Sequence, residues 1–290
     1  MSMPDVRDAQ IFDRGYRRYE GERKSVRGSV FTLYLASLQR VLGLRRGAKA
    51  KAIPVLTIAI SYLPAIAFVG MASLLPDKLR GSIPDYNKYY GFVVSAILLF
   101  VAFVAPEVLC PDRRYKILGV YLASPLTRRS YVLAKLASVL TVLAAVTIGP
   151  PLLLAIARTL LDSGPALKDL PVLLLRIIAS GAMLSLYYGT LALAVSAFTS
   201  RKGFASAGFV LITVVSGAIG GVLGSNVNDQ VRTGALASIT FAPFELVQRI
   251  YGARATVHAS TLLVAGIVIV TIVLSLVVLF DRYHRLEVTR

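Results

Sequence analysis

The chain has 290 residues, of which 56% are hydrophobic and 16% are charged, and its formal net charge is +17. A soluble domain carries roughly 25% charged residues, so this composition excludes an ordinary soluble globule, and the same apolar content excludes a disordered chain. The single Cys excludes a disulfide framework, and the two His are too far apart in the sequence to indicate a metal site. We therefore expect a membrane protein with no cofactor of its own.

Six stretches are apolar enough to cross a membrane as helices, which requires about 20 mostly apolar residues. They are continuously apolar rather than alternating, which indicates helices and not the strands of a barrel. The sequence predicts an all-α polytopic membrane protein with a cytoplasmic segment 1–51, a transmembrane domain 52–282 and a cytoplasmic tail 283–290. The predicted spans are 52–75, 89–110, 133–157, 171–198, 204–224 and 260–280.

The N-terminal segment contains a predicted amphipathic helix. Apolar residues recur at helical spacing and basic residues follow at the far end, a pattern typical of a helix that lies in the inner membrane interface. A helix packed on a soluble partner is the alternative. The apolar residues are Phe31, Tyr34, Leu35, Leu38, Val41 and Leu42, and the basic residues are Arg40, Arg45, Arg46, Lys49 and Lys51.

Two ionisable residues lie inside predicted spans, where a central charge costs about 2.5–3.5 kcal/mol on insertion scales. Glu107 is near the end of the second span, so we expect it to reach the inner interface or to pair with Arg113 or Arg114. Arg176 is near the start of the fourth span, close enough for its long side chain to reach the outer interface. Neither residue is near mid-membrane, which argues against a secondary carrier.

The polar segment 111–135 follows the second span and contains a short predicted helix. Asp112 is expected to cap this helix, Pro125 to end it, and Thr127 to cap the helix that continues into the third span. A short, partly apolar helix favours docking on another protein, and a helix lying on lipid headgroups is the alternative. Its predicted docking face consists of Ile117, Val120 and Tyr121.

The third and fifth spans contain prolines and glycines that affect helix geometry and packing. Gly149-Pro150-Pro151 lies inside the third span, where lost amide donors and ring clashes kink or break a helix, as a static kink or as a hinge. The fifth span contains two overlapping Gly-x-x-x-Gly motifs, which indicate close helix packing. Their glycines are Gly217, Gly220, Gly221 and Gly224.

The segment 225–259 between the last two spans is too apolar for a free loop and too short for another spanning pair. We expect one or two short helices that dip into the outer leaflet, with Glu245 and Arg249 paired on the exposed face, a pair worth only about 0.3–0.5 kcal/mol. The apolar residues in question are Ile239, Phe241, Phe244, Leu246, Val247, Ile250 and Tyr251.

Basic residues are distributed unevenly between the two sides of the membrane. The N-terminal segment, the segments after even-numbered spans and the tail contain 23 Lys and Arg, against 8 in the segments after odd-numbered spans. The positive-inside rule therefore places both termini in the cytoplasm, as expected for a multi-pass protein of the cell membrane. This asymmetry explains the net charge as attraction to anionic lipid, and we expect no nucleic-acid partner.

Catalytic motifs are absent from the sequence. The dipeptide Gly-Lys does not occur, so there is no phosphate-binding P-loop, and there is no His-Glu-x-x-His. Ser216 and His258 are the nearest approach to a Ser–His pair, but they belong at different depths of the membrane. We expect that the chain is not an enzyme by itself.

The segment after the second span resembles the first cytoplasmic loop of the ABC-2 type permeases. In that family an acidic residue and Arg precede a short helix, then Leu-x-x-Pro-aliphatic-Ser/Thr-Arg, with a Lys seven residues further on. The family often has Gly-Thr where this chain has Lys116-Ile117, and an acidic residue where it has Gly119. The matching residues are Asp112, Arg113, Leu122, Pro125, Leu126, Thr127, Arg128 and Lys135.

The resemblance implies a role in transport. Two permease chains would form the substrate pathway, and the loop of each would insert a coupling helix into a separate ATPase subunit, which binds ATP and Mg²⁺. The resemblance favours export, because the Glu-Ala-Ala…Gly signature of importer loops is absent. The alternatives are a secondary carrier or channel and a membrane-embedded enzyme or assembly factor.

Overall fold

The structure is a computed structural model that describes residues 25–44, 47–74, 85–123, 125–161, 168–225 and 229–285. Within these ranges the chain is helical and has no β-strand. The α-helices are α1 (Val26–Val41), α2 (Ala48–Leu74), α3 (Tyr86–Phe103), α4 (Pro106–Arg114), α5 (Leu118–Leu122), α6 (Arg128–Leu160), α7 (Leu170–Ser196), α8 (Lys202–Gly224), α9 (Phe241–Ile250) and α10 (Thr261–His284), and a 3₁₀ helix covers Asp229–Ala237.

The prediction of six membrane spans is confirmed. Six helical stretches of the described chain are long and apolar enough to cross a membrane. They correspond to α2, to α3 together with α4, and to α6, α7, α8 and α10. Of the predicted terminal segments, residues 1–24 and 286–290 lie outside the described residues, as do Arg45 and Arg46.

Proline coincides with an interruption in the second span but not in the third. The second span is interrupted, since α3 ends at Phe103 and α4 begins with Pro106 at its first position. By contrast, α6 continues through Pro150 and Pro151 without a break. Pro106 lacks an amide hydrogen, which costs nothing in the first turn of a helix, whereas α6 needs substitute donors in its interior.

The long helix α6 is the centre of the bundle. It packs against α1, α2, α3, α7 and α10, and its buried residues join a hydrophobic core shared with α3 and α7. At the periphery, α8 packs mainly against the 3₁₀ helix and leaves most of its apolar surface exposed. A helix that exposes so much apolar surface is suited to lipid or to another protein within the membrane.

The bundle has two ends, which we call the α5 end and the α9 end. At the α5 end, Arg113 donates a hydrogen bond to the backbone oxygen of Ala197, and Arg128 donates one to that of His284. At the α9 end, α9 packs against α3, α7, α10 and the 3₁₀ helix. The parts of the basic segments that the structure describes therefore meet at the α5 end.

The predicted N-terminal helix is present as α1. It begins after Ser25, whose hydroxyl accepts a hydrogen bond from the amide of Gly28. One face, with Leu33 and Val41, is buried against the bundle, while Phe31 is exposed. This helix thus rests on the membrane domain of its own chain, and its position in the membrane interface stays a prediction.

Candidate functional site

The most strongly buried charges lie where α1, α4 and α6 meet at the α5 end. Asp112, in the last turn of α4, is 1% exposed, and its Oδ1 is 2.5 Å from Arg40 Nη1. Its Oδ2 is 2.8 Å from Lys135 Nζ and accepts a hydrogen bond of 2.8 Å from the hydroxyl of Tyr131. We call Arg40, Asp112, Tyr121, Tyr131 and Lys135 the Asp112 cluster.

Lys135 is the most deeply placed cation of the cluster. Its side chain is 1% exposed, and Nζ lies 5.5 Å from the ring centroid of Tyr131 and 5.7 Å from that of Tyr121. The two rings supply cation–π attraction in addition to the ion pair with Asp112. An unpaired charge in this position would cost several kcal/mol, so Lys135 and Asp112 depend on each other.

Arg40 connects the cluster to the N-terminal helix. Burial lowers the pKa of Arg40, but the hydrogen bond and the charge of Asp112 outweigh burial, so the pKa is raised above its ordinary value. The guanidinium therefore stays charged over the whole physiological range. The sequence analysis placed Arg40 among basic residues at the lipid surface, whereas its partner is a carboxylate of this chain.

The prediction that Asp112 caps the short helix is wrong. The helix α5 begins after Ile117 and has no side-chain cap. Asp112 instead belongs to the end of α4. There the Ile117 amide donates to the backbone oxygen of Asp112 at 3.0 Å, and the Lys116 amide donates to the backbone oxygen of Arg113 at 3.3 Å. This is a Schellman arrangement, and Lys116 occupies its left-handed position with φ 53°.

The predicted docking face of α5 is divided by the fold. Tyr121 packs inward over Lys135, and burial, followed by the charge of Asp112, raises the pKa of Tyr121. Val120 points outward and is 71% exposed, and Tyr115, just before α5, is 67% exposed. Ile117 is half-buried. Tyr115 and Val120 are therefore the exposed large apolar residues of α5 and the turn before it that the structure describes, and docking through Ile117 and Tyr121 stays a prediction.

The end of the loop is built as the sequence predicts and has an additional contact. Thr127 caps α6, accepting a hydrogen bond of 3.1 Å from the Ser130 amide in a capping box. Pro125 is exposed and follows the end of α5. Arg128 donates to the backbone oxygen of His284, which joins the start of α6 to the end of α10.

Glu107 has a partner that the sequence analysis did not consider. Its Oε1 lies 2.5 Å from Nζ of Lys202, the first residue of α8. The pair is partly exposed at the α5 end. The interruption of the second span before Pro106 makes α4 a separate helix, which brings Glu107 toward α8.

Arg176 lies at the opposite end of the bundle. Its guanidinium donates a hydrogen bond of 3.3 Å to the backbone oxygen of Tyr251, the residue that follows α9. The two ionisable residues that the sequence places inside spans therefore lie near opposite ends of the bundle, Glu107 at the α5 end and Arg176 at the α9 end.

A second buried ion pair organises the α9 end. Glu245 and Arg249 pair at 3.1 Å as predicted, but the prediction that they pair on an exposed face is wrong, because Glu245 is 2% exposed. Arg249 also donates to the backbone oxygens of Val257 and Ala259, and Glu245 accepts from the amide of Thr256. These bonds fasten the segment after α9, and burial makes the pair far more important than a surface pair.

Two of the four glycines of α8 lie in close contact with the segment that follows the helix. A methyl group at Gly220 would lie 2.8 Å from Cβ of Ser238, and one at Gly224 would lie 3.1 Å from Cβ of Ala235. These two glycines allow the 3₁₀ helix and the residue after it to approach α8. Gly217 and Gly221 have no atom within 4 Å of such a methyl group. All four line a cavity of about 590 Å³ between α8 and the α9 end.

Arg40, Tyr131 and Lys202 are partners of charged groups that the sequence does not predict. One signal was available: segment 111–137 has six basic residues and Asp112 as its one acidic residue. A lysine within an apolar helix, as Lys135 is, requires a carboxylate, and Asp112 is the nearest candidate. The partner contributed by α1 has no such signal.

The geometry of the cluster suits mechanical connection. Asp112 holds α4 to α1 and α6, while the ring of Tyr131 packs at a tilt against that of Tyr283 of α10, with 5.9 Å between ring centroids. The short helix α5 rests on this assembly through Tyr121. The cluster thus connects α5 to α1, α4, α6 and α10.

The chain is a polytopic helical membrane protein with six spans. Its short helix α5 is held to the spans by the ion pairs and ring contacts of the Asp112 cluster. The family model described as "ABC-2 family transporter protein" matches residues 76–280. The chain therefore belongs to the ABC-2 family of transporter proteins, as the resemblance of its loop indicates. This family consists of membrane subunits that typically lack an ATPase of their own. A comparison with curated proteins found no match.

Proposed function

We propose that the chain is the permease subunit of an ABC exporter of the cell membrane. Two permease chains form the substrate pathway, and a separate ATPase subunit, which binds ATP and Mg²⁺, drives transport through α5. Both termini lie in the cytoplasm, so the α5 end is the cytoplasmic end. The observation that carries this proposal is the Asp112 cluster. It fixes α5, the helix that would dock on the ATPase, to α1, α4 and α6.

The surface of the loop indicates the chemistry of the ATPase groove. Tyr115 and Val120 offer an apolar centre, and Arg114 and Lys116, which flank Tyr115 in the sequence, are exposed. The acidic residue of the loop, Asp112, is buried and paired. A complementary groove is therefore apolar in the middle and acidic at its rim, since opposite potentials across an interface steer association and suppress wrong partners.

The peripheral position of α8 supports pairing of two permease chains. In the most apolar stretch of α8, 11% of the residues are buried within the chain, a smaller share than in any other described span. Gly217 and Gly221 leave open backbone on that helix. Small residues of this kind allow close approach of helices in a membrane. A second copy of α8, or of the corresponding helix in a related chain, would occupy this surface.

Co-purification and coupled ATPase activity test the proposal. The tagged chain is expected to bring down an ATPase encoded beside it, and replacement of Tyr115 and Val120 by Ala should weaken this association about tenfold or more, because each buried anchor contributes about 1–2 kcal/mol. Val172→Ala, at an exposed valine of the α9 end, is the control. A chain that transports its substrate alone, without any ATPase, would refute the proposal.

Orientation is tested separately by labelling. Cys110 is the single cysteine and is buried, so it is replaced by Ser before single cysteines are introduced. Ala123→Cys lies in the exposed loop after α5, and Arg254→Cys lies in the exposed segment after α9. In intact cells a membrane-impermeant maleimide should label position 254 and not position 123. The reverse pattern would place the α5 end outside and exclude docking to a cytoplasmic ATPase.

A further inference from the structure

A cavity of about 220 Å³ opens between the first turns of α6 and the last turn of α10 at the α5 end. One wall is apolar and the rim is polar. Because α6 and α10 are both spans that begin or end here, the cavity lies at the border between the apolar and polar parts of the bundle. It is lined by Arg128, Arg129, Val132, Phe280, Asp281, Tyr283 and His284.

The rim of this cavity carries uncompensated positive charge. Asp281 is engaged by Arg285, with 2.9 Å between Oδ1 and Nε. Arg128 donates to the backbone oxygen of His284 and meets no carboxylate in the described chain. Arg129 is exposed and makes neither a hydrogen bond nor an ion pair with any residue that the structure describes. Two guanidinium groups thus face a cavity in which the one carboxylate is already paired.

The position of these arginines in α6 strengthens this point. They are the first two residues of a helix of 33 residues whose first turn contains no acidic residue. The start of a helix is its positive end, so cations there are disfavoured and anions are favoured. A bound anion would pair with the two guanidinium groups and would also be favoured by the helix dipole.

The apolar wall distinguishes between kinds of anion. Phe280 is half-buried beside the rim, so an occupant with a phosphate at the rim could lay a hydrocarbon tail along its ring. Val132 and Tyr283 also line the cavity but are only 1% and 2% exposed, and the hydroxyl of Tyr283 has no hydrogen-bond partner in the described chain. A free phosphate would use the rim alone and leave the exposed part of Phe280 uncovered.

We propose that this cavity binds the headgroup phosphate of an anionic phospholipid from the leaflet that borders the α5 end. Arg129 binds the phosphate directly, and Arg128, held by His284, presents its remaining N–H groups to it. Because Arg128 also begins the helix that follows the coupling loop, the lipid would fix one end of that loop.

The experiment measures lipid binding to the purified full chain in neutral detergent. Native mass spectrometry or a thermal shift titration uses dioleoyl phosphatidylglycerol, with phosphatidylcholine and inorganic phosphate as separate probes. Phosphatidylglycerol should bind and stabilise, and Arg129→Gln should weaken its binding about fivefold, the expected contribution of one basic residue near a membrane surface. Arg128→Gln should have at least the same effect.

The control is Arg201→Gln, which removes an exposed arginine from the N-terminal end of α8, at the same end of the bundle but outside the cavity. It should leave phosphatidylglycerol binding unchanged. Arg128 also makes a structural contact, so Arg129→Gln, which breaks no bond in the described chain, carries the test if Arg128→Gln unfolds. Equal weakening by Arg129→Gln and Arg201→Gln would overturn the site. Equal stabilisation by inorganic phosphate would overturn its assignment to a lipid.

Discussion

Ser61 of α2 donates a hydrogen bond to the backbone oxygen of Val146 in α6, with 2.8 Å between the two oxygens. In a regular α-helix this oxygen accepts from the amide four residues on, but here that residue is Pro150, which has no amide hydrogen. The hydroxyl of α2 therefore replaces the missing donor of α6. Tyr62 also donates to the Ala145 oxygen at 2.9 Å, although the residue four positions on, Gly149, has an amide hydrogen of its own. The contact of Ser61 therefore compensates for Pro150, the first of the two prolines.

Replacement of Ser61 by Ala should reduce thermal stability, because it leaves a buried carbonyl without a donor. We expect a loss of about 1 kcal/mol, within the range measured for hydrogen bonds between membrane helices. In the Ser61→Ala background, Pro150→Ala should recover most of this loss, since the substituted alanine supplies the amide that proline lacks. The measurement is a double-mutant cycle on the unfolding of the protein in mixed micelles.

Ser73→Ala is the matched control for Ser61→Ala. Ser73 lies on the same helix, is exposed, and donates to the Gly70 oxygen of its own helix. This variant should change stability by less than about 0.5 kcal/mol, as is usual for surface substitutions. Additive effects of the Ser61 and Pro150 variants would show that the hydroxyl does not substitute for the amide.

Asp112→Asn should be among the most damaging single substitutions at the α5 end. It keeps the size of the side chain but leaves Lys135 buried without a counter-charge, which costs about 3–5 kcal/mol. Adding Lys135→Met should restore part of the stability, because Arg40 is 24% exposed and can turn toward water. Thermal unfolding and the yield of folded protein are the measurements.

Asp281→Asn provides the comparison for Asp112→Asn. Its ion pair with Arg285 is largely exposed, and exposed pairs contribute about 0–1 kcal/mol. A loss of stability in Asp112→Asn no larger than in Asp281→Asn would contradict the bracing role of the cluster.

Lys116→Gly should stabilise the loop between α4 and α5. Lys116 has φ 53°, a conformation that costs residues with a side chain about 1–2 kcal/mol and glycine almost nothing. The greater freedom of glycine in the unfolded chain offsets part of this, so we expect a gain of about 0.5–1 kcal/mol. Slower amide exchange at residues 115–118 and a higher thermal midpoint would report it.

Lys116→Ala separates the backbone effect from the loss of charge. It removes the ammonium group but keeps the left-handed strain, so it should not stabilise the loop. If both variants stabilise equally, charge repulsion and not backbone conformation is the cause. The glycine that the ABC-2 family often has in this place fits the left-handed position.

Arg249→Lys should loosen the segment after α9. Arg249 reaches Glu245, Val257 and Ala259 together through its planar guanidinium, and a lysine ammonium cannot satisfy this geometry. We expect amide exchange at residues 253–260 to become at least tenfold faster, which corresponds to about 1.4 kcal/mol of local stability. Arg254→Gln, at an exposed position nearby, should leave exchange unchanged. Unaltered exchange in Arg249→Lys would mean that the segment is held by its backbone alone.

The six spans follow from the sequence because each is an apolar run long enough to cross hydrocarbon, a property of the run itself. The capping of α6 by Thr127 is equally local, since the hydroxyl and the Ser130 amide that it accepts from are three residues apart. The loop motif identifies the family for the same reason, because its residues are close in sequence.

The partners of the buried charges were decided only by the tertiary structure. Asp112 could cap a helix or join an ion pair, and burial decides between these, because two cations brought to it by α1 and α6 stabilise a carboxylate more than one amide does. Pro150 could kink α6 or be tolerated, and Ser61 of α2 decides. Such choices depend on contacts between residues 72 or 85 positions apart, which no local pattern encodes.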